Sequence, residues 1–150
     1  MISLGCAKNQ VDSEMILGVC KHDLTLVKDA CDADVIIVNT CAFIEPARKE
    51  AIDTILSLAD QKKSGCKLIV CGCLPQRYKG DLEKLLPEVD RFISIDEYGN
   101  IGSILNSVLN SNYKFNDSVS FTERFYSTPS YMRYVRISDG CLNHCAFCAI

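Results

Sequence analysis

Apolar residues in this chain follow two rhythms. Val35-Ile36-Ile37-Val38 and Leu68-Ile69-Val70 are short unbroken runs, the pattern of parallel strands buried on both faces. Between them Ala47, Ala51, Ile52, Ile55, Leu58 and Ala59 recur at helical spacing. Pro46 sits where a first helical turn tolerates it, and Ser64-Gly65 stops the helix. Ile2–Leu4 reads as the end of another buried strand, broken at Gly5-Cys6, and Leu24–Val27 as a short strand. Asp12 or Ser13 is placed to cap a helix with Met15, Ile16 and Val19 on one side. Leu82, Leu85 and Leu86 mark a helix closed by Pro87, Phe92-Ile93 a weaker strand, and Ile101–Leu109 a last helix. Strands alternating with helices predict right-handed βαβ units, hence an α/β fold with a parallel sheet.

After Asn110 the texture changes. Asn, Ser, Asp and Thr dominate to Ser130 and no helical period survives, which predicts a linker over 111–130 behind a domain at 1–110. Tyr131–Ile137 alternates like a strand opening something new, but the chain ends thirteen residues later. That is too little for a domain, so the sequence predicts a piece of a longer protein. A hydrophobic content of 48% with 23% charged residues suits a soluble domain with a real core. No apolar run approaches the roughly 20 residues that span a bilayer, and Met1–Gln10 lacks the basic and apolar regions of a signal peptide. A net charge of −3 makes the chain a poor nucleic-acid binder on its own. Ten cysteines in 150 residues imply either a secreted disulfide framework or metal and cluster ligands in a reducing compartment. The missing export signal and the full-sized core favour the second, and with it a cytoplasmic location.

Three of those cysteines lie in Gly140-Cys141-Leu142-Asn143-His144-Cys145-Ala146-Phe147-Cys148, a C-x3-C-x2-C run directly after the expected strand. Three thiolates suit a four-iron cluster with one iron left open for a small molecule. Structural zinc would want a fourth protein ligand. His144, the neighbour of Cys145, is poorly placed to turn to the same ion. Disulfides would leave one thiol over. Cys6, Cys41 and Cys73 are scattered, but each falls just past the C-terminal end of an expected strand, where open α/β sheets bind ligands. Gly5 and Gly72 would let the backbone bend there. Position alone leaves a shared site and three inert core cysteines equally open. Alternation would point Cys71 to the same side as Cys73. Cys20, Cys31 and Cys66 have no partner at ligand spacing.

The C-terminal run resembles the signature of the radical S-adenosylmethionine (SAM) superfamily. Ser3-Leu4-Gly5-Cys6-Ala7-Lys8-Asn9, Val38-Asn39-Thr40-Cys41-Ala42-Phe43-Ile44 and Gly72-Cys73-Leu74-Pro75-Gln76-Arg77-Tyr78 are similar to the three cysteine motifs of the methylthiotransferase N-terminal domain. The resemblance spans nearly the whole chain. It implies a parallel-sheet, three-layer N-terminal domain, followed over 131–150 by the first strand and cluster loop of a radical SAM (β/α) barrel. It implies two 4Fe-4S clusters: one on Cys141, Cys145 and Cys148 whose open iron binds SAM, with Phe147 near the adenine, and one on Cys6, Cys41 and Cys73 linked to the donated sulfur, with Cys71 a bystander because the motif requires a cysteine only at Cys73. An electron donor such as flavodoxin or ferredoxin is implied too. The family's first strand starts several residues before Met1, and its remaining barrel and C-terminal substrate-binding domain are absent here, so the piece alone is expected to be inactive.

Two branches of the family share these motifs. The branch that modifies a tRNA adenosine usually reads Y-G-C-Q-M-N and N-T-C-S-V-R at the first two. Leu4-Gly5-Cys6-Ala7-Lys8-Asn9, Val11-Asp12-Ser13-Glu14 and Leu74-Pro75-Gln76-Arg77-Tyr78 instead resemble the branch that modifies an aspartate of the twelfth small-subunit ribosomal protein. The implied reaction replaces a C–H bond on the aspartate β-carbon with C–S–CH3. That carbon is unactivated, so a cofactor must supply a radical. Arg77, Lys8 and Asn9 adjoin expected ligands. Arg77 is read either as a donor to a cluster sulfur or as half of a surface ion pair. A non-catalytic iron–sulfur or zinc scaffold is a rival reading. So is a cobalamin-binding radical SAM enzyme, which would want a ligating His in a strand-end loop. His22 follows a helix instead.

Overall fold

The computed structural model describes residues 1–143, Cys145, Ala146 and Cys148. Four strands, β1 (Ile2–Ser3), β2 (Val35–Thr40), β3 (Lys67–Gly72) and β4 (Arg91–Ile93), form one parallel sheet in the order β1-β2-β3-β4. The helices are α1 (Ala7–Cys20), α2 (Glu45–Gln61), α3 (Cys73–Leu85) and α4 (Ile101–Leu109). The expected α/β class and parallel sheet are the ones found.

Period-two alternation sorts the strand side chains onto two cores. Ile36, Val38, Leu68, Val70 and Phe92 pack against Ala51, Ile55 and Leu58 of α2 and Leu74 and Leu82 of α3. Ile37, Ile69, Cys71 and Ile93 pack on the opposite face against Ile16, Val19 and Cys20 of α1 and Ile101 and Leu105 of α4. The result is three layers, with α2 and α3 on one side of the sheet and α1 and α4 on the other. The direction of wrapping therefore reverses between β1 and β2. At such a reversal two connections leave the strand ends toward opposite faces and open a crevice.

The structure departs from expectation in several places. Leu24–Val27 forms no strand. It borders a cavity of about 460 Å³ with Met1, Ile2 and Ile37, and Leu26 and Val27 are each 50% exposed. The edge strand β1 has only two residues, too few to template another strand. Helix α1 begins at Ala7 with Cys6 as N-cap, a full turn before Asp12 and Ser13. Those residues and Glu14 are polar yet buried, so the apolar rhythm did not register the first turns. Tyr131–Ile137 is not a strand and has no ladder partner among the described residues. Tyr131 and Ile137 are 89% and 94% exposed. Residues 111–130 contain no helix or strand, but they lie against α1 and α4, and Phe115 is buried in that core.

Candidate functional site

β1, β2 and β3 all point their C-terminal ends at the crevice, and each continues into a cysteine. Cys6 caps α1, Cys41 follows Thr40, and Cys73 opens α3. The turns that deliver them are tight. A side chain on Gly5 would sit 2.4 Å from Cys41 Cβ and 3.1 Å from Cys41 Sγ. Gly72 has φ +99° and ψ −151°, a region that is essentially glycine-only. This turn also separates Cys71 from Cys73, against the same-side placement that alternation predicts, and leaves Cys71 the bystander the motif implies. The left-handed φ at Gly72 breaks the strand alternation, so Cys71 faces the core shared by α1 and α4 while Cys73 packs toward the other side. Burial pushes the Cys71 thiol up to about 12 and seals it in that core.

One amide ties the three loops together. Asn9, 1% exposed, accepts from Cys6 Sγ at 3.6 Å and Cys73 Sγ at 3.8 Å through Oδ1, and donates from Nδ2 to the Thr40 carbonyl at 2.9 Å, the residue before Cys41. Beneath it, Asn39 donates to the Asn9 carbonyl at 2.8 Å and to Ser13 Oγ at 3.0 Å, and Thr40 Oγ1 donates to the Cys71 carbonyl at 2.7 Å. Asn39 Oδ1 is buried without a hydrogen-bond partner among the described residues. Burial pushes the Cys73 thiol up, Lys8 pulls it back, and the Cys41 and Cys6 thiols push it up again. Cys6 is exposed, Cys73 half-buried and Cys41 buried, so the group opens to solvent on one side. A crevice of about 330 Å³ begins there, lined by Leu4, Gly5, Cys6 and Gln10 on one wall and by Ser127 and Tyr134 on the other.

Sequence reasoning treated Asn9 only as a neighbour of a ligand and missed Asn39 and Thr40. The available signal was a pair of polar residues closing an otherwise apolar strand, since buried polar groups need partners. Arg77 has no ion pair among the described residues. Its guanidinium lies 5.4 Å from the Tyr78 ring centroid. Lys8 pairs with Asp12 at 2.7 Å while staying near enough to Cys73 to draw its thiol down.

Cys141, Cys145 and Cys148 are exposed. The Asn143 amide donates to Cys141 Sγ at 3.4 Å and the Cys148 amide to the Cys145 carbonyl at 3.0 Å. Phe147 and His144 lie outside the described residues. Among the described residues no three His, Cys, Asp or Glu side chains are close enough to grip one metal ion. A cluster asks for less convergence, because each thiolate binds a different iron. The donor set of the first trio fits such a group: three soft sulfur ligands from three loops, a glycine turn on either side and one open face.

The model of the family described as "Uncharacterized protein family UPF0004" matches residues 1–94. The chain belongs to this family. The match contains the sheet and all three strand-end cysteines. Among curated relatives of the UPF0004 chain, the ribosomal protein uS12 methylthiotransferase RimO of Myxococcus xanthus is 49% identical over 157 residues, covering all of this chain and 33% of that protein. The proteins of the same name from Clostridium botulinum and Alkaliphilus oremlandii are 45% and 48% identical, over 100% and 99% of this chain and 36% and 34% of theirs. The chain thus spans about a third of the length of these relatives. No described helix is long and apolar enough to cross a membrane.

Proposed function

We propose that this UPF0004 chain is the N-terminal part of a methylthiotransferase that modifies the β-carbon of an aspartate in ribosomal protein uS12, in the cytoplasm. The observation that carries the reading is the gathering of Cys6, Cys41 and Cys73 around Asn9 at the C-terminal ends of β1, β2 and β3, in a chain 45–49% identical to three proteins of that name. Residues 1–110 form the N-terminal domain, 111–130 the linker, and 131–150 the opening of a radical SAM barrel. Cys6, Cys41 and Cys73 hold one 4Fe-4S cluster. Cys141, Cys145 and Cys148 hold the other, with Phe147 beside SAM. When bound, these groups supply the electron, the radical, the sulfur and the methyl group that an unactivated C–H bond requires.

The protein's own part is placement. Asn9 keeps the loops of Cys6, Cys41 and Cys73 in register, and the glycine turns leave the sulfurs accessible. The crevice beside Cys6 gives the aspartate side chain a walled approach that limits water. An external one-electron donor of the flavodoxin or ferredoxin kind completes the system.

Anaerobic reconstitution of the full-length protein tests the assignment. About eight irons are expected, four per cluster. Replacing Cys6, Cys41 and Cys73 by Ala, or Cys141, Cys145 and Cys148 by Ala, should each remove about half. Mass spectrometry of ribosomal proteins from cells with and without the enzyme should show a methylthio gain on one uS12 aspartate. Full iron content in either triple variant refutes the two-cluster assignment, and a gain on tRNA instead refutes the substrate.

A further inference from the structure

Two carboxylates remain that the chemistry above does not use. Asp12 and Glu14 sit in the Val11-Asp12-Ser13-Glu14 stretch of α1, each 1% exposed. Burying charge is costly unless it is fully paired, and both find partners more than a hundred residues away. Glu14 accepts from the Arg124 guanidinium, from the Ser127 amide at 2.9 Å and from Ser127 Oγ at 2.8 Å, while its own carbonyl accepts from the Phe125 amide at 2.9 Å. Burial opposes the Glu14 charge, yet Arg124 and Ser127 hold its carboxyl below the usual range. Asp12 pairs with Lys8 at 2.7 Å and with Arg136 at 3.1 Å, and Arg136 also reaches Asp139 at 3.4 Å. Lys8 closes the ring, 3.9 Å from Asp139. Shape agrees with charge. A side-chain carbon on Gly18 would lie 1.8 Å from the Glu123 carbonyl oxygen, so the 123–127 backbone rests directly on α1.

Cys6 caps helix α1, and Asp139 precedes Cys141 by two residues. The segment between them also carries Ser127 and Tyr134, the far wall of the crevice beside Cys6. We propose that Asp12 and Glu14 are positioning residues: they clasp residues 123–139 to α1 and so set the C-x3-C-x2-C run in fixed register with the Cys6, Cys41 and Cys73 site. This rests on the two-cluster reading above. The buried pairs act as a specificity device. They define one docking position where an apolar contact would permit several.

The test uses full-length enzyme, wild type and with Glu14→Gln, Asp12→Asn, Gly18→Ala, Arg124→Gln or Arg136→Gln. Three quantities are measured: iron content, hydrogen exchange of the 123–139 amides, and methylthio product formed per SAM cleaved. SAM cleavage needs only the C-terminal cysteines, whereas sulfur transfer needs both sets in register. The variants should keep wild-type iron and SAM cleavage. The Phe125 and Ser127 amides should exchange about 100-fold faster in Glu14→Gln, and product per SAM cleaved should fall at least about tenfold. Unchanged exchange overturns the proposal, and so does faster exchange with an unchanged product ratio. If the α1 variants lose iron through misfolding, Arg124→Gln and Arg136→Gln decide by the same two readouts. A wild-type enzyme that neither loads iron nor cleaves SAM sinks the functional reading instead, and exchange still reports on the clasp.

Discussion

Replacing Gly72 by Ala adds one methyl group at the turn that delivers Cys73. At φ +99° and ψ −151° a non-glycine residue carries about 1–3 kcal/mol of backbone strain. The new Cβ would also meet Asn39 Oδ1 at 2.2 Å, the Thr40 carbonyl oxygen at 2.6 Å and the Thr40 nitrogen at 3.0 Å. Neither neighbour can yield cheaply. Thr40 is the β2 residue registered opposite Gly72, and Asn39 is held by its bonds to Asn9 and Ser13. Overpacking of this kind costs about 1–3 kcal/mol more. The sum is about 4 kcal/mol, against a total stability of about 5–15 kcal/mol for a typical domain. At a urea dependence of about 2 kcal/mol per M, the unfolding midpoint should fall by about 2 M. Circular dichroism during urea unfolding measures it. Gly80→Ala is the control: Gly80 lies inside α3 with nothing within 4 Å of an added Cβ, so that change should stabilise by about 0.5–1 kcal/mol. If Gly72→Ala unfolds at the wild-type midpoint, the turn is not the constraint described and Cys73 does not depend on it.

Two further outcomes follow from ionisation. For Glu97, burial opposes the charge but hydrogen bonds from Lys79 and Ser94 hold its carboxyl at about 2, down from 4.5. Its folded value lies below its unfolded one, so the stabilisation is complete above pH 4.5 and is lost as pH falls toward 2. The gap caps at about 3 kcal/mol, reduced to about 1 kcal/mol by screening at a partly exposed site. Urea midpoints between pH 6 and 2 should fall less steeply in Glu97→Gln than in wild type, and parallel curves would contradict the account. Cys20 and Cys71 are buried thiols pushed up to about 12. In the native chain at pH 8, iodoacetamide should label exposed Cys31 at least about 100-fold faster than either. Equal labelling, read by peptide mass spectrometry, would show that these two thiols are not sealed in the core.

Much of the architecture was readable in the chain because its core strands are continuous. Val35–Val38 and Leu68–Val70 announced β2 and β3, and Ile101–Leu109 matched α4 to the residue. Leu24–Val27 had the composition of a strand but no edge long enough to join. A strand depends on a partner elsewhere in the chain, whereas a helix satisfies its own backbone. The first turns of α1 stayed hidden for a different reason. Asn9, Asp12, Ser13 and Glu14 are buried like core residues, but polarity reads as surface until the partners that bury it are known.

The local order of residues was enough to put a cysteine after each of three strands and to group three more in one loop. It could not say that the first three meet, because nothing in their spacing brings Cys6, Cys41 and Cys73 within reach of one amide. That was decided by the reversal of helix placement between β1 and β2, by the left-handed turn at Gly72 and by the buried Asn9. The pairing of Glu14 with Arg124 across 110 residues belongs to the same class. Contacts this distant in the chain exist only once the layers have packed, since it is packing that removes the water and makes each polar group dependent on one particular partner.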